Sequence, residues 1–320
     1  MKNSRFDPQE VDLERTVIVS EREGSENQPS FLLAEAVHET AFSSHPYRNE
    51  VIGLKQDLEK ITRDDLYNHY RQFYQPANAV LAVAGDFNAT ELIEKIKTYF
   101  VDIPPGKKPD DTVPPDAPMN REKRVAVSGP GETCYVQIAY RAPCASNRDF
   151  FTMTVLDSLL TGPSSLNMFG AGGTSNKTSR LYRALVEGEI SVSCYGGLQA
   201  TKDPYLYSIY LTVHPAHTPD DVLQAVDQEI NHILDHPIAQ SEIDRAIKQA
   251  KALFAYSSEN ISNQAFWLGY SEMFDHYDWF ENYIQHLSQV TPESVLETAH
   301  SYLDPKNRVV GFYTPKKDIS

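Results

Sequence analysis

The chain has 320 residues, 44 acidic against 29 basic, and a formal charge of −15 at pH 7. That charge argues against a nucleic-acid backbone or an anionic membrane surface as the main partner. A content of 41% hydrophobic and 23% charged residues is that of a globular protein, long enough for one large or two medium domains.

No apolar run is long enough to span a bilayer, and residues 1–20 lack a basic-then-apolar signal segment, so a cytoplasmic form is expected. Cys134, Cys144 and Cys194 form no CxxC pair, which points to a reducing compartment rather than a disulfide framework. In chain order, the first strong pattern is Leu13–Glu21, an amphipathic helix. Glu14 and Glu21 lie seven residues apart, nearly two turns, and project from one face beside Leu13 and Val17. Two carboxylates so stacked are either a solvated acidic face or a metal ligand with its support, and spacing alone leaves both open. Helical period resumes from Phe31 to Phe42. Thr62 caps a helix through Gln72, the Gln75–Asn78 turn leads into a strand over Ala79–Ala84, and Ala89–Tyr99 is helical.

Residues 102–118 mix Pro104, Pro105, Pro109, Pro114, Pro115 and Pro118 with aspartates and lysines, the composition of a linker, so the domain boundary is placed there. Domains are thus expected over 1–101 and 119–320. Beyond the linker, Cys134–Arg141 reads as a strand and Asp149–Leu160 as a helix. A Gly/Ser/Asn-rich loop spans Thr161–Thr178, with a helix from Ser179 to Glu187 and a strand over Val192–Gly196. Tyr205–Val213 is a strand with Tyr205, Tyr207, Ile209, Leu211 and Val213 on one face. Helices are expected over 219–236, 239–257, 276–287 and 292–303, with a short strand at Arg308–Tyr313.

The last segment repeats an earlier one. Thr62, Pro76, Asn78 and Val80 recur at the same offsets as Thr291, Pro305, Asn307 and Val309. Both stretches read as a capped helix, a Pro-x-Asn turn and a strand, which favours an internal duplication. A second copy is then complete, while the first spans only residues 1–91, and the first half is expected to be N-terminally incomplete.

Glu14-Arg15 with Glu21, His45-Pro46-Tyr47 with Ile52-Gly53, Thr62–Leu66, Tyr74–Ala79 running into Gly85-Asp86-Phe87, and Ser179–Tyr182 together resemble the pitrilysin/insulinase-like (M16) zinc peptidases, which include the mitochondrial processing peptidases. The likeness covers essentially the whole chain. It implies an α+β fold of two homologous α/β-sandwich halves, zinc as cofactor and hydrolysis of extended peptides or unfolded segments. In that family two histidines of an H-x-x-E-H helix hold the zinc, the motif glutamate is the general base, and a glutamate about 75 residues later is the third ligand. The resemblance maps that ligand onto Glu21 and a supporting carboxylate onto Glu14. Only 20 residues precede Glu21, so the histidine motif is not at its family position, no catalytic residue is assigned, and the chain alone is expected to be inactive. A non-catalytic structural or partner subunit is the alternative.

Two histidine pairs are weighed against this site. His232-Ile233-Leu234-Asp235-His236 imitates the motif with aspartate for glutamate, but it ends at Pro237 and turns away from the Val222, Val226, Ile230 and Ile233 core face. His214-Pro215-Ala216-His217 reads as a turn. Family members carry a substrate-contacting Arg/Tyr pair at the positions of Val186 and Ser193, so the resemblance implies a homologous partner subunit that supplies it. Gly162, Gly170, Gly172 and Gly173 give residues 161–178 a weaker likeness to the glycine-rich loop of the processing-peptidase non-catalytic subunit.

Overall fold

The computed structural model describes residues 3–110, 112–163 and 176–316. The chain opens with α1 (Pro8–Glu26) and α2 (Pro29–Ala41), each begun by a proline where the first turn needs no N–H donor. Next come α3 (Lys55–Leu58) and α4 (Arg63–Phe73), the latter entered through a capping box between Thr62 and Asp65. A 3-10 turn at Pro76–Asn78 leads into extended chain over 79–84 and then α5 (Ala89–Phe100).

The remainder builds one mixed sheet with helices around it. Its elements are β1 (Lys123–Gly129), β2 (Tyr135–Arg141), α6 (Asp149–Leu160), β3 (Ser191–Leu198) and β4 (Leu206–Val213). They continue through α7 (Pro219–Asp235), α8 (Gln240–Ser258), α9 (Ile261–Phe274), α10 (Asp278–Glu281), α11 (Tyr283–Leu287), α12 (Pro292–Tyr302) and β5 (Arg308–Pro315). Strand order is β1-β5-β2-β4-β3, parallel only between β1 and β5. The last strand of the chain is therefore central, not peripheral.

Each sheet face buries a different set of residues. Ile138, Ile209 and Val310 pair across β2, β4 and β5 and face a large core with α6, in which every residue from Phe150 to Leu160 is buried. On the opposite face Ala139, Leu206, Val309 and Tyr313 lie under Leu33, Val37, Ala41 and Phe42 of α2 and its end. Gly311 permits that approach: a Cβ there would stand 2.5 Å from Val37 Cγ2 and 2.9 Å from Leu33 Cδ1. Tyr207, Ile209, Leu211 and Val213 share one face as expected, but Tyr205 precedes the strand and packs on the α2 side.

The expected strand over Ala79–Ala84 does not form. Val80, Leu81 and Val83 are 49%, 58% and 42% exposed, and no strand among the described residues lies alongside them. The repeat explains the contrast. α4 and α12 are both 11-residue helices capped by threonine, and each is followed by a Pro-x-Asn 3-10 turn. After the second turn β5 finds β1 on one side and β2 on the other, whereas residues 79–84 find no ladder partner, and a strand exists only through its pairing. Elsewhere, Ser179–Glu187 forms turns and a π-helical turn at Tyr182–Val186, and the helix expected over 276–287 divides at Asn282 into α10 and α11.

Two arginines, the buried Arg308 and the partly buried Arg141, tie distant segments. Arg308 reaches Glu122, Asp227 and the Tyr140 hydroxyl. Arg141 lies 3.9 Å over the Phe42 ring and donates to Asp116 at 2.8 Å. Asp116 also accepts from the Ser43, Ser44 and His45 backbone N–H groups at 2.8, 2.8 and 3.2 Å, so this residue of the proline-rich segment is bound on both sides.

Candidate functional site

Helix α1 presents two faces set by residues seven apart. Arg15 and Arg22 anchor the inner one. Arg15 donates to the Ile61 carbonyl, and Arg22, 5% exposed, donates to Glu26, Glu35 and the Gly53 carbonyl while lying 5.0 Å over the Phe31 ring. Glu35 raises the Arg22 pKa through its hydrogen bond, against a lowering by burial, so Arg22 stays charged. Lys55 binds Glu23 beside it.

Glu14 and Glu21 each precede one of these arginines, and a rotation of about 100° per residue turns them off the anchored face. Both are exposed, and Leu13 and Val17 beside them are 71% and 58% exposed. Seven residues at 1.5 Å rise separate the two carboxylates by about 10 Å along the axis. Glu14 borders a groove of about 630 Å³ that Phe6, Leu13, Val17, Ile18 and Ile61 make mostly apolar. The anchored face holds α1 against the fold, and the other presents two carboxylates and bare apolar side chains to solvent.

A zinc ion takes about three protein donors. Among the described residues no group of three or more His, Cys, Asp or Glu side chains is placed to hold a metal ion. The residues present therefore do not fit zinc by themselves. Of the expected donors, the structure places Glu21 and Glu14 on one helix face, with no third beside them.

The histidine pairs take the places their local sequence dictates. The His232 and His236 rings stack on each other at 4.3 Å on the exposed end of α7, with Asp235 also exposed. His214 and His217 sit in a turn, with His217 3.8 Å from Asp221. Val186 closes the π turn, and Ser193 on β3 donates to Thr212 Oγ1 at 2.8 Å. Of the glycine-rich loop, residues 164–175, with Gly170, Gly172 and Gly173, lie outside the described residues.

One polar cluster escaped the sequence reading. His38 on α2 contacts Glu50 Oε1 through Nδ1 at 2.9 Å and the Tyr205 hydroxyl through Nε2 at 2.9 Å. Burial raises the Tyr205 pKa. His38 and Tyr205 are 167 residues apart, and no spacing rule reaches that far.

Comparison with known proteins places the chain. Residues 60–250 match the model of the Peptidase M16 inactive domain, a match that begins after α1. An uncharacterized zinc protease of Mycobacterium leprae is 25% identical over 99% of this chain and 69% of its own length. A probable mitochondrial-processing peptidase subunit beta of Arabidopsis thaliana is 25% identical over 79% of this chain and 47% of its own. In structure, a protease from Helicobacter pylori superposes with a TM-score of 0.85 at 20% identity, over 97% of this chain and 72% of that one.

Proposed function

The chain belongs to the M16 peptidase family through its inactive domain, and from that premise we propose that it forms a portion of a zinc metalloendopeptidase that lacks the H-x-x-E-H motif. In this reading Glu21 supplies one carboxylate ligand to a zinc ion whose histidines come from outside these 320 residues, and Glu14 supports it. Bound there, zinc would acidify a water and polarise the scissile carbonyl of an extended peptide. This chain's own part is to hold Glu21 rigidly, which the buried Arg22 does from the next position on α1.

The observation that carries the reading is the two-sided character of α1. Its arginine face is tied down through Arg15 and Arg22, while the Glu14/Glu21 face and its apolar neighbours are open. A face that only kept the helix soluble would have no use for exposed Leu13 and Val17 beside its carboxylates. The partner proposed for it is a homologous region bearing H-x-x-E-H, with a subunit bearing the Arg/Tyr pair completing substrate contact. Co-expression with a histidine-bearing region of a zinc protease, followed by zinc analysis of the purified complex, tests this. Zinc is expected with the native chain and lost with Glu21→Gln. A complex that keeps its zinc in Glu21→Gln removes α1 from the site.

The absence of a three-donor cluster among the described residues favours a second reading, a structural subunit without metal. Under it, no histidine-bearing partner makes zinc retention depend on Glu21.

A further inference from the structure

We propose that the cleft between the Pro46–Val51 segment, the β3–β4 loop and the C-terminal end of α9 binds an alkylammonium group, held by the Glu50 carboxylate between aromatic walls. The cleft encloses about 510 Å³, with His38, Tyr47, Glu50, Tyr205, Tyr270 and Phe274 among its walls. It shares no lining residue with the groove along α1 and stands independently of the zinc reading.

The hydrogen-bond direction at its base is determined by chemistry. An ionised carboxylate only accepts, so His38 Nδ1–H donates to Glu50 Oε1, while Nε2 lies 2.9 Å from the Tyr205 hydroxyl. The Nδ1 contact occupies one oxygen of Glu50. The His38 ring is the only ion-pair partner of Glu50 among the described residues. The carboxylate side chain is 23% exposed and opens to the cleft.

The walls complete the match. Tyr47 meets Tyr205 edge-on at 5.0 Å, Tyr270 meets Phe274 edge-on at 5.4 Å, and all four rings, with their faces and edges, line the cleft together with Glu50. Such faces attract cations. Val51 and Met273 are 105% and 61% exposed, apolar positions suited to the aliphatic stem behind the charge.

The alkylammonium could be a lysine side chain of a peptide or a free amine. Titration calorimetry on the full chain at neutral pH, with N-acetyl-lysine methylamide, n-butylammonium and butanol as probes, tests the proposal and separates the sources. Saturable binding of the cations but not butanol is expected, weakened about tenfold or more in Glu50→Gln and in Tyr270→Leu, both retaining the native melting profile. Tighter binding of the lysine amide assigns a peptide side chain, and tighter binding of butylammonium a free amine. Absence of saturable binding, equal affinity for butanol, or unchanged affinity in Glu50→Gln overturns it.

Discussion

Asp116 carries more of the structure than its place in a proline-rich segment suggests. Burial by itself would raise its pKa, but hydrogen bonds from the Ser43, Ser44 and His45 N–H groups and the Ser44 hydroxyl outweigh that and hold it below the ordinary value of 3.8. Because the folded pKa is depressed, its stabilisation is complete above the unfolded value and fades as pH falls through the folded one. Acid denaturation of the native chain should therefore show a component below pH 3.8 that Asp116→Asn lacks. At neutral pH the same variant should lose about 2–4 kcal/mol in denaturant unfolding, because the half-buried Arg141 is left without its carboxylate. A loss within the ordinary scatter of surface substitutions, about 0.5 kcal/mol, would remove Asp116 from that role. Glu21 is the opposite kind of residue. Because it is exposed, it should tolerate Glu21→Gln within about 0.5 kcal/mol in the isolated chain, so any zinc-related defect in a complex is separable from folding.

At the scale of elements, the packing of α2 on the sheet is the most easily tested. Gly311→Ala drives a methyl group toward Val37 and Leu33 and should destabilise the chain by about 1–3 kcal/mol in a urea melt. Val37→Ala combined with it should recover part of that loss, and a fully additive pair would show that α2 does not rest on β5. Helix positions were legible in sequence where a cap and a one-sided period coincide, as at Thr62 and Thr218. α9 escaped because its apolar residues, from Ala265 through Phe266, Trp267, Leu268 and Tyr270 to Met273 and Phe274, surround the axis and give no single stripe. β1 escaped because its Lys123-Arg124 start hides an alternation that becomes apolar only through pairing with β5. The site shows the same limit. Glu14 and Glu21 are readable because they sit on one helix, while the contact of His38 with Tyr205 exists only once α2 lies on the sheet. The duplicated turn gives a further comparison between elements. Amide hydrogens of residues 79–84 should exchange at rates close to those of free chain, while those of Val309–Tyr313 should be among the slowest in the protein. Protection of both segments alike would place a partner strand beside residues 79–84.

The whole molecule is a well-packed sheet domain joined to helices that leave an apolar and acidic face open. Val80, Leu81, Ile93 and Tyr99 are exposed apolar side chains in addition to Leu13 and Val17. Among the described residues no helix is long and apolar enough to cross a membrane, so a bilayer-spanning helix does not account for this surface. The proposed function would place this surface against a homologous region of an M16 peptidase and zinc in the resulting assembly, with Glu21 as this chain's proposed ligand. The most direct test is the zinc content of the purified 320-residue chain after equilibration with zinc and removal of the unbound metal. Far less than one zinc per chain is predicted, unchanged by Glu21→Gln. One zinc per chain, lost on Glu21→Gln, would contradict the assignment by showing that these residues complete the site alone.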